Sequence, residues 1–339
     1  MGTLKPDSET QNWSLKSSVI GWLLEDTQPC VRYLATTELL GRSATRSEAK
    51  AARREMIATG WAKDILDKQD PAGFWVSDES LYRPKYLATN WMLLMLSDLG
   101  LTKEEPRVKK ACELWMKRFA AKDGGFDSSA KGSPKYGHLC ITGNTARALV
   151  KFGYADDPVV ERVFEWFVMN QAELGGWSCW NHGSRPRGRN LDSWEPLSAF
   201  AAYPRQKWTR GMKLAVEKGA EFFLQRELHR QGDSYEPWYR FHYPIHYYYD
   251  VLVGLDFMTA LGYADDKRLT FAVSLLKKKR RPDGRWDLDS VNPDPESPQG
   301  KWDVEHPKQA TIPFSLERVG GPSKMITLTA LKVLNRIDA

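Results

Sequence analysis

One phrase recurs along this chain and limits its fold more than any single residue does. A Gly-Tyr or Gly-Leu pair ends an apolar helical run, and a short acidic stretch follows. A second, amphipathic run then ends in a Gly-rich tag carrying an aromatic. The clearest copies begin at Phe152-Gly153-Tyr154-Ala155-Asp156-Asp157-Pro158 and Leu261-Gly262-Tyr263-Ala264-Asp265-Asp266-Lys267, with a looser one at Leu99-Gly100-Leu101 and Pro106-Arg107-Val108. A unit of this length that alternates two helix types is a helical-hairpin repeat, and stacked hairpins bury a continuous core that one hairpin cannot bury alone.

Apolar spacing at i, i+3, i+4 and i+7 separates the two types. Runs nearly free of charge cover Val31 to Gly41, Tyr86 to Leu99, Leu139 to Phe152, Ser193 to Tyr203, Tyr247 to Leu261 and Ser323 to Ile337. Helices apolar on most sides must be buried on most sides. Amphipathic, charged runs cover Ser47 to Lys68, Pro106 to Ala120, Pro158 to Asn170, Lys207 to Leu228 and Asp266 to Arg280. The inner set lacks one outer partner, and the segment Leu15 to Glu25 supplies it. The expected fold is all-α: an (α/α)6 toroid of six helical hairpins, with the N-terminal helix closing the ring against the C-terminal one. Residues 1–339 form one domain in this reading, with a flexible stretch at 1–12 and a lid-like insertion at 287–321.

Composition narrows the function. Lys plus Arg number 49 and Asp plus Glu 43, a formal charge of +6 spread along the whole length, which argues against a nucleic-acid partner. The cysteines Cys30, Cys112, Cys140 and Cys179 are far apart, and neither a leader nor an apolar run of membrane-spanning length is read in the sequence. The expectation is a soluble cytoplasmic protein with reduced thiols. Aromatics are abundant, at 14 Trp, 13 Tyr and 13 Phe, and many lie between helices, where they either cap hairpins or line a pocket.

The tags Gln69-Asp70-Pro71-Ala72-Gly73-Phe74-Trp75, Asp123-Gly124-Gly125-Phe126, Gln171-Ala172-Glu173-Leu174-Gly175-Gly176-Trp177 and Asp283-Gly284-Arg285-Trp286 resemble the Gln-Trp repeats of squalene and oxidosqualene cyclases and the matching tags of protein prenyltransferase β subunits. Around Cys140-Ile141-Thr142-Gly143-Asn144, Gly175-Gly176-Trp177-Ser178-Cys179, Tyr249-Asp250-Val251-Leu252, Leu316-Glu317-Arg318 and Pro322-Ser323-Lys324 the chain is similar to single-barrel prenyltransferase/squalene-oxidase-repeat proteins. The resemblance implies a terpenoid-cyclase-like toroid. The cyclases' acidic Asp-x-Asp-Asp motif has only Asp287-Leu288-Asp289-Ser290 as its nearest counterpart, which reads as a loop or cap element. The prenyltransferases bind zinc through Asp, Cys and His at inner-helix starts and act with a helical partner subunit. The corresponding groups here are Cys140, Cys179 and His182, and a partner subunit is left open.

Side chains at the starts of inner helices face the mouth of such a barrel. Asp192 and Glu195 share a helix face, and Asp192 also suits an N-cap. His246 with Tyr248 would move protons, and Asp303 with His306 would form an orienting pair in the last loop. Tyr86, Trp91, His138, Asn144, Trp177, Trp180, Tyr247 and Trp302 are the expected substrate-binding groups.

The leading expectation is an enzyme performing acid-base chemistry on a hydrophobic or aromatic small molecule: an isoprenoid-like isomerisation, elimination, hydration or cyclisation with no required cofactor. The alternatives are a zinc-assisted transferase or hydrolase, a polysaccharide lyase or glycoside hydrolase, and a non-catalytic lipid- or protein-binding toroid.

Overall fold

The computed structural model describes residues 18–128, 134–179, 190–231, 233–234, 236–246, 248–291 and 316–339. A short helix α1 (residues 18–23) opens the described chain. An inner row follows: α2 (Pro29–Leu34, continued by a π-helical turn at Ala35–Leu39), α5 (Thr89–Asp98), α7 (Leu139–Lys151), α9 (Asn190–Ala202), α11 (Val251–Ala260) and α13 (Lys324–Ile337). Between them lie outer helices α3 (Ser47–Glu55), α4 (Trp61–Leu66), α6 (Pro106–Phe119), α8 (Pro158–Met169), α10 (Arg210–Leu224) and α12 (Thr270–Lys278). A two-residue antiparallel ribbon pairs Arg230 with Ser234 and Gln231 with Asp233.

The two rows follow from the two sequence patterns. All of α5 is buried, as its mostly apolar sequence demands, and its one charge, Asp98, is ion-paired. On α6 the buried set is Val108, Ala111, Cys112, Trp115, Met116 and Phe119, one stripe at helical spacing, with Lys and Glu on the opposite face. Around the inner row α5 packs on α7, α7 on α9, α9 on α11, α11 on α13, and α13 on the turn after α2. The N-terminal segment closes the ring as expected: Lys324 Nζ donates to the Trp22 carbonyl (2.5 Å) and pairs with Glu25 (3.0 Å), while the Arg285 guanidinium lies 4.2 Å from the Trp22 ring. The chain is an α/α toroid.

Several helix limits differ from the sequence reading, each for a local reason. The run Ser47 to Lys68 breaks in two because Gly60 adopts φ +77°, a region closed to most side chains. The run from Tyr247 starts its helix only after Asp250, whose carboxylate caps α11 by accepting from the Val253 amide (2.8 Å). The run from Tyr86 begins its helix at Thr89, leaving Tyr86 in the preceding loop at φ +68°. The segment Asp287 to Ser290 is a brace. Asp287 pairs with Arg281 (2.9 Å), and Asp289 accepts from the Phe241 amide (2.7 Å) and from Lys279 (2.8 Å).

The aromatic tags are fixed by a clamp that repeats four times. The backbone amides of Trp75, Phe126, Trp177 and Trp286 donate to the hydroxyls of Thr89, Thr142, Ser193 and Thr327 at 2.9, 2.9, 2.8 and 3.0 Å. Three of those hydroxyls also donate back to a tag carbonyl: Thr142 to Phe126, Ser193 to Trp177 and Thr327 to Trp286. The indoles of Trp75, Trp177 and Trp286 each donate to a carbonyl ten residues earlier, at Ile65, Phe167 and Leu276. Each tag thus ties the end of an outer helix to the start of the next inner one.

Replacing Ser193 by Ala leaves the Trp177 amide buried without its acceptor, a cost of about 1–3 kcal/mol. We expect the urea midpoint of S193A to fall accordingly. An unchanged midpoint would show that the clamp does not hold the hairpin.

Candidate functional site

The mouth of the toroid gathers four of the predicted polar residues from two adjacent inner helices, together with one residue from each loop that leads into them. His138 immediately precedes α7, Cys140 and Asn144 lie on its first turns, and Asp192 and Glu195 lie on the first turns of α9. Cys179 comes from the loop before α9. The approach of the two helices depends on Gly143: a Cβ there would stand 2.5 Å from Glu195 Cβ and 3.1 Å from the Pro196 nitrogen. With that space empty, Asn144 Nδ2 donates to Glu195 Oε1 at 2.8 Å.

His138 Nδ1, Cys140 Sγ and Cys179 Sγ all lie within 4.8 Å of one another. His138 Nδ1 is 3.2 Å from Cys140 Sγ and 3.9 Å from Cys179 Sγ. The Cys140 amide donates to Cys179 Sγ (3.4 Å), and the Cys179 amide donates to Asp192 Oδ2 (3.3 Å), so backbone contacts place Cys179, while the Cys140 thiol meets the His138 ring. Asp192 sits inside the first turn of α9 and grips the preceding loop instead of standing ahead of the helix as its cap.

Charge in this cluster is lopsided. The hydrogen bond with Cys140, then burial, push the Cys179 thiol far up, and the Asp192 charge adds to the effect. Its bond with Cys179 raises His138 against the opposing effect of burial. Burial first, then the charges of Cys179 and Asp192, lift Glu195 well above the usual carboxylate range, against a smaller opposing pull from Arg147 and Asn144. Glu195 therefore favours its neutral acid form, and among the described residues its Oε2 has no hydrogen-bond partner.

A small pocket of about 150 Å³ adjoins Cys140 and is walled by Tyr82, Asn90, Trp91 and Asn144. Trp91 links it to a buried aromatic stack: Tyr86 lies face-on to His246 (4.7 Å between centroids), and Trp91 meets the same imidazole edge-on at 5.3 Å. Burial, helped by the charge of His242, lowers His246 to about 3, so it is a neutral ring at physiological pH. Neither nitrogen of the His246 imidazole has a hydrogen-bond partner among the described residues, so no hydrogen bond joins it to Tyr248. The Tyr248 ring lies beside His242 (6.1 Å between centroids), and the imidazole that meets a carboxylate is His242, whose Nδ1 is 2.5 Å from Asp250 Oδ2. Trp177 is fully buried in its clamp and lines neither of the two cavities. Trp180, His182, Tyr247, Trp302, Asp303 and His306 lie outside the described residues.

A second cavity of about 440 Å³ runs along the inner helices toward their C-terminal ends. Its polar wall includes a network that sequence reasoning missed. Arg147 and Lys151 both pair with Asp98, at 2.8 and 2.7 Å, and Arg336 pairs with Asp256 at 2.8 Å. Burial alone would raise Asp98, yet the two cations hold it below the usual carboxylate range. The available signal was an ionisable residue inside an otherwise apolar inner helix, as Arg147 is on α7. Among the described residues no helix is long and apolar enough to cross a membrane.

No known protein family matches the chain, and no curated protein does. Among solved structures it is similar to a polysaccharide lyase, with a TM-score of 0.50 and 11% identity over 98% of each chain. It is also similar to a protein from Actinoplanes, with a TM-score of 0.49 and 15% identity over 97% of this chain and 100% of that one. The type II terpene cyclase MstE from Scytonema gives a TM-score of 0.47 and 16% identity over 98% of this chain and 99% of that one. At such identities the likeness to the lyase concerns fold alone, and it accords with the toroid described above.

The buried imidazole has a measurable consequence. A folded-state value near 3 against 6.5 in the unfolded chain means that His246 contributes stability in full above pH 6.5. That stability, on the order of a few kcal/mol, drains away as pH falls from 6.5 toward 3. We expect His246→Asn, which tolerates the positive φ at this position, to flatten the acid limb of the urea midpoint against pH. Parallel limbs in parent and variant would contradict the assignment.

Proposed function

We propose that the protein is an enzyme that holds one zinc ion at the toroid mouth through His138, Cys140 and Cys179 and acts there on an apolar small molecule by zinc-assisted transfer or hydrolysis. The observation that carries this reading is the convergence of one imidazole and two thiols within 4.8 Å. Around tetrahedral zinc, ligand atoms of these types lie about 3.6–3.8 Å apart. The observed 3.2 and 3.9 Å bracket that spacing, and the donor types suit the ion. A crowd of thiols and carboxyls in which Cys179 and Glu195 are pushed up is also the environment that a divalent cation relieves.

When bound, zinc with three protein ligands supplies Lewis acidity at an open fourth position. The chain's own groups do the rest. Asn144 holds Oε1 of Glu195 and so aims Oε2, which carries the transferable proton. Asp192 anchors the loop that presents Cys179. Trp91 and Tyr82 wall the adjacent pocket against water and favour an apolar substrate body.

The acidity of Glu195 supports a second reading. A buried, neutral carboxylic acid with one oxygen unengaged is a Brønsted acid suited to an alkene or enol without any metal.

Elemental analysis of protein purified without chelator or added metal separates the two. We expect about one zinc per chain. It should be lost in Cys140→Ala and Cys179→Ala variants that keep the parent's circular dichroism, and retained in Glu195→Gln. Metal-free protein that also fails to take up added zinc would end the zinc reading and leave the Glu195 acid, to be tested by screening alkenes, phenols and isoprenoids for turnover that E195Q abolishes. No turnover with any of these, and none with polysaccharides, would favour a binding toroid.

A further inference from the structure

Residues that line the cavity beneath the mouth carry buried donors with no hydrogen-bond partner among the described residues. Arg147 is 2% exposed and uses Nη1 on Asp98, while its Nε and Nη2 have no hydrogen-bond partner among the described residues. Those two atoms form the side edge of the guanidinium, the edge that meets a carboxylate through two parallel hydrogen bonds. Two further cavity-lining groups are in the same condition, Trp194 Nε1 and Tyr243 Oη. Burial, with the nearby charges of Asp98 and Glu317, keeps the Tyr243 phenol protonated far beyond its usual range, so it too is a donor. A buried donor without an acceptor costs about 1–3 kcal/mol, and several on one cavity wall point to an acceptor that belongs there.

The charges around the cavity specify that acceptor. Lys332 pairs with Glu38 and Arg336 with Asp256, while Asp250 is met by His242 and by the N-terminus of α11. Arg147 and Lys151 share the single carboxylate of Asp98, so that group of three is locally positive by one, while the four cations and four carboxylates of the whole lining balance. Glu195 lies near enough to feel the charge of Arg147, yet no hydrogen bond joins them. The remaining walls mix apolar groups, Leu252, Phe257 and Ile326 among them, with the hydroxyls of Thr37, Ser97 and Ser198, and a volume of about 440 Å³ is in the range of small-molecule pockets.

We propose that this cavity is a binding site for a small amphipathic monocarboxylate, its carboxylate gripped by the Nε/Nη2 edge of Arg147 with Trp194 and Tyr243 as flanking donors, and its apolar body lying along the barrel. The site shares no residue with the proposed metal centre and stands without it. A dianionic head such as a phosphate monoester would carry one charge more than the Arg147, Lys151 and Asp98 group leaves unmatched.

Isothermal titration of the full chain with sodium octanoate, with octanol and octyl phosphate as comparison ligands, tests the proposal. Octanoate should bind at about one per chain and more tightly than either comparison ligand, because only it satisfies the guanidinium edge and the single excess charge. Arg147→Gln should raise its Kd by about tenfold or more, and Tyr243→Phe by a few-fold. Ala201→Leu, which fills the cavity while leaving the polar network intact, should abolish binding, and it carries the test if R147Q fails to fold. Cys140→Ala should bind octanoate like the parent, which separates this site from the metal centre. The proposal is overturned if octanoate gives no heat and no shift in Tm at millimolar concentration, if octanol or octyl phosphate binds as tightly, or if A201L leaves binding unchanged.

Discussion

Everything at the mouth of this toroid depends on a hydrogen bond between a tag amide and an inner-helix hydroxyl. An outer helix and the inner helix after it are joined by a loop whose geometry neither helix dictates. The clamp from Trp75, Phe126, Trp177 or Trp286 to a Thr or Ser removes that freedom. Because the hydroxyls sit in the first turns of inner helices, fixing the tag also fixes where those helices begin. The mouth cluster stands on two of these positions: Thr142 lies between Cys140 and Asn144, and Ser193 lies between Asp192 and Glu195.

The barrel carries two polar layers in an apolar interior, and they differ in kind. The mouth layer contains thiols, carboxyls and an imidazole, and its interactions and burial raise His138, Cys179 and Glu195. The deeper layer consists of ion pairs centred on Asp98 and Asp256, in which opposite charges hold both acids ionised. Arg147 belongs to the deeper layer and its field reaches the upper one, where it opposes the rise at Glu195. Neutral acid above and fixed ions below fall within four residues of α7, between Asn144 and Arg147.

The architecture was legible in the sequence because it rests on period and composition, which are local. Uncharged runs gave the buried row, striped runs the outer one, and the leftover N-terminal segment found its place against Lys324. The grouping of Asp192, Glu195, Asn144, His138, Cys140 and Cys179 was half legible. All but Cys179, which was read as a loop residue, were recognisable as lying at inner-helix starts, but the approach of the two helices depends on Gly143, whose role shows only when α9 is in place. His246 was misleading as a residue type. Its titration is decided by the Tyr86 and Trp91 rings packed against it, which belong to a different hairpin. Asp98, Arg147 and Asp256 drew no reading from the sequence, since their partners reach them only when neighbouring inner helices pack, α5 on α7 and α11 on α13.

The four clamps close chain segments of very different length. The bonded residues are 14, 16, 16 and 41 apart in sequence, yet the bonds span only 2.8 to 3.0 Å. Loop-closure entropy grows only as the logarithm of length, so the longest segment costs about 1 kcal/mol more to close than the shortest. A mouth loop anchored at both ends in this way can gain or lose many residues while the helices beneath it stay in register. The rim of this toroid can therefore change its reach and chemistry almost independently of the stability of the ring that supports it.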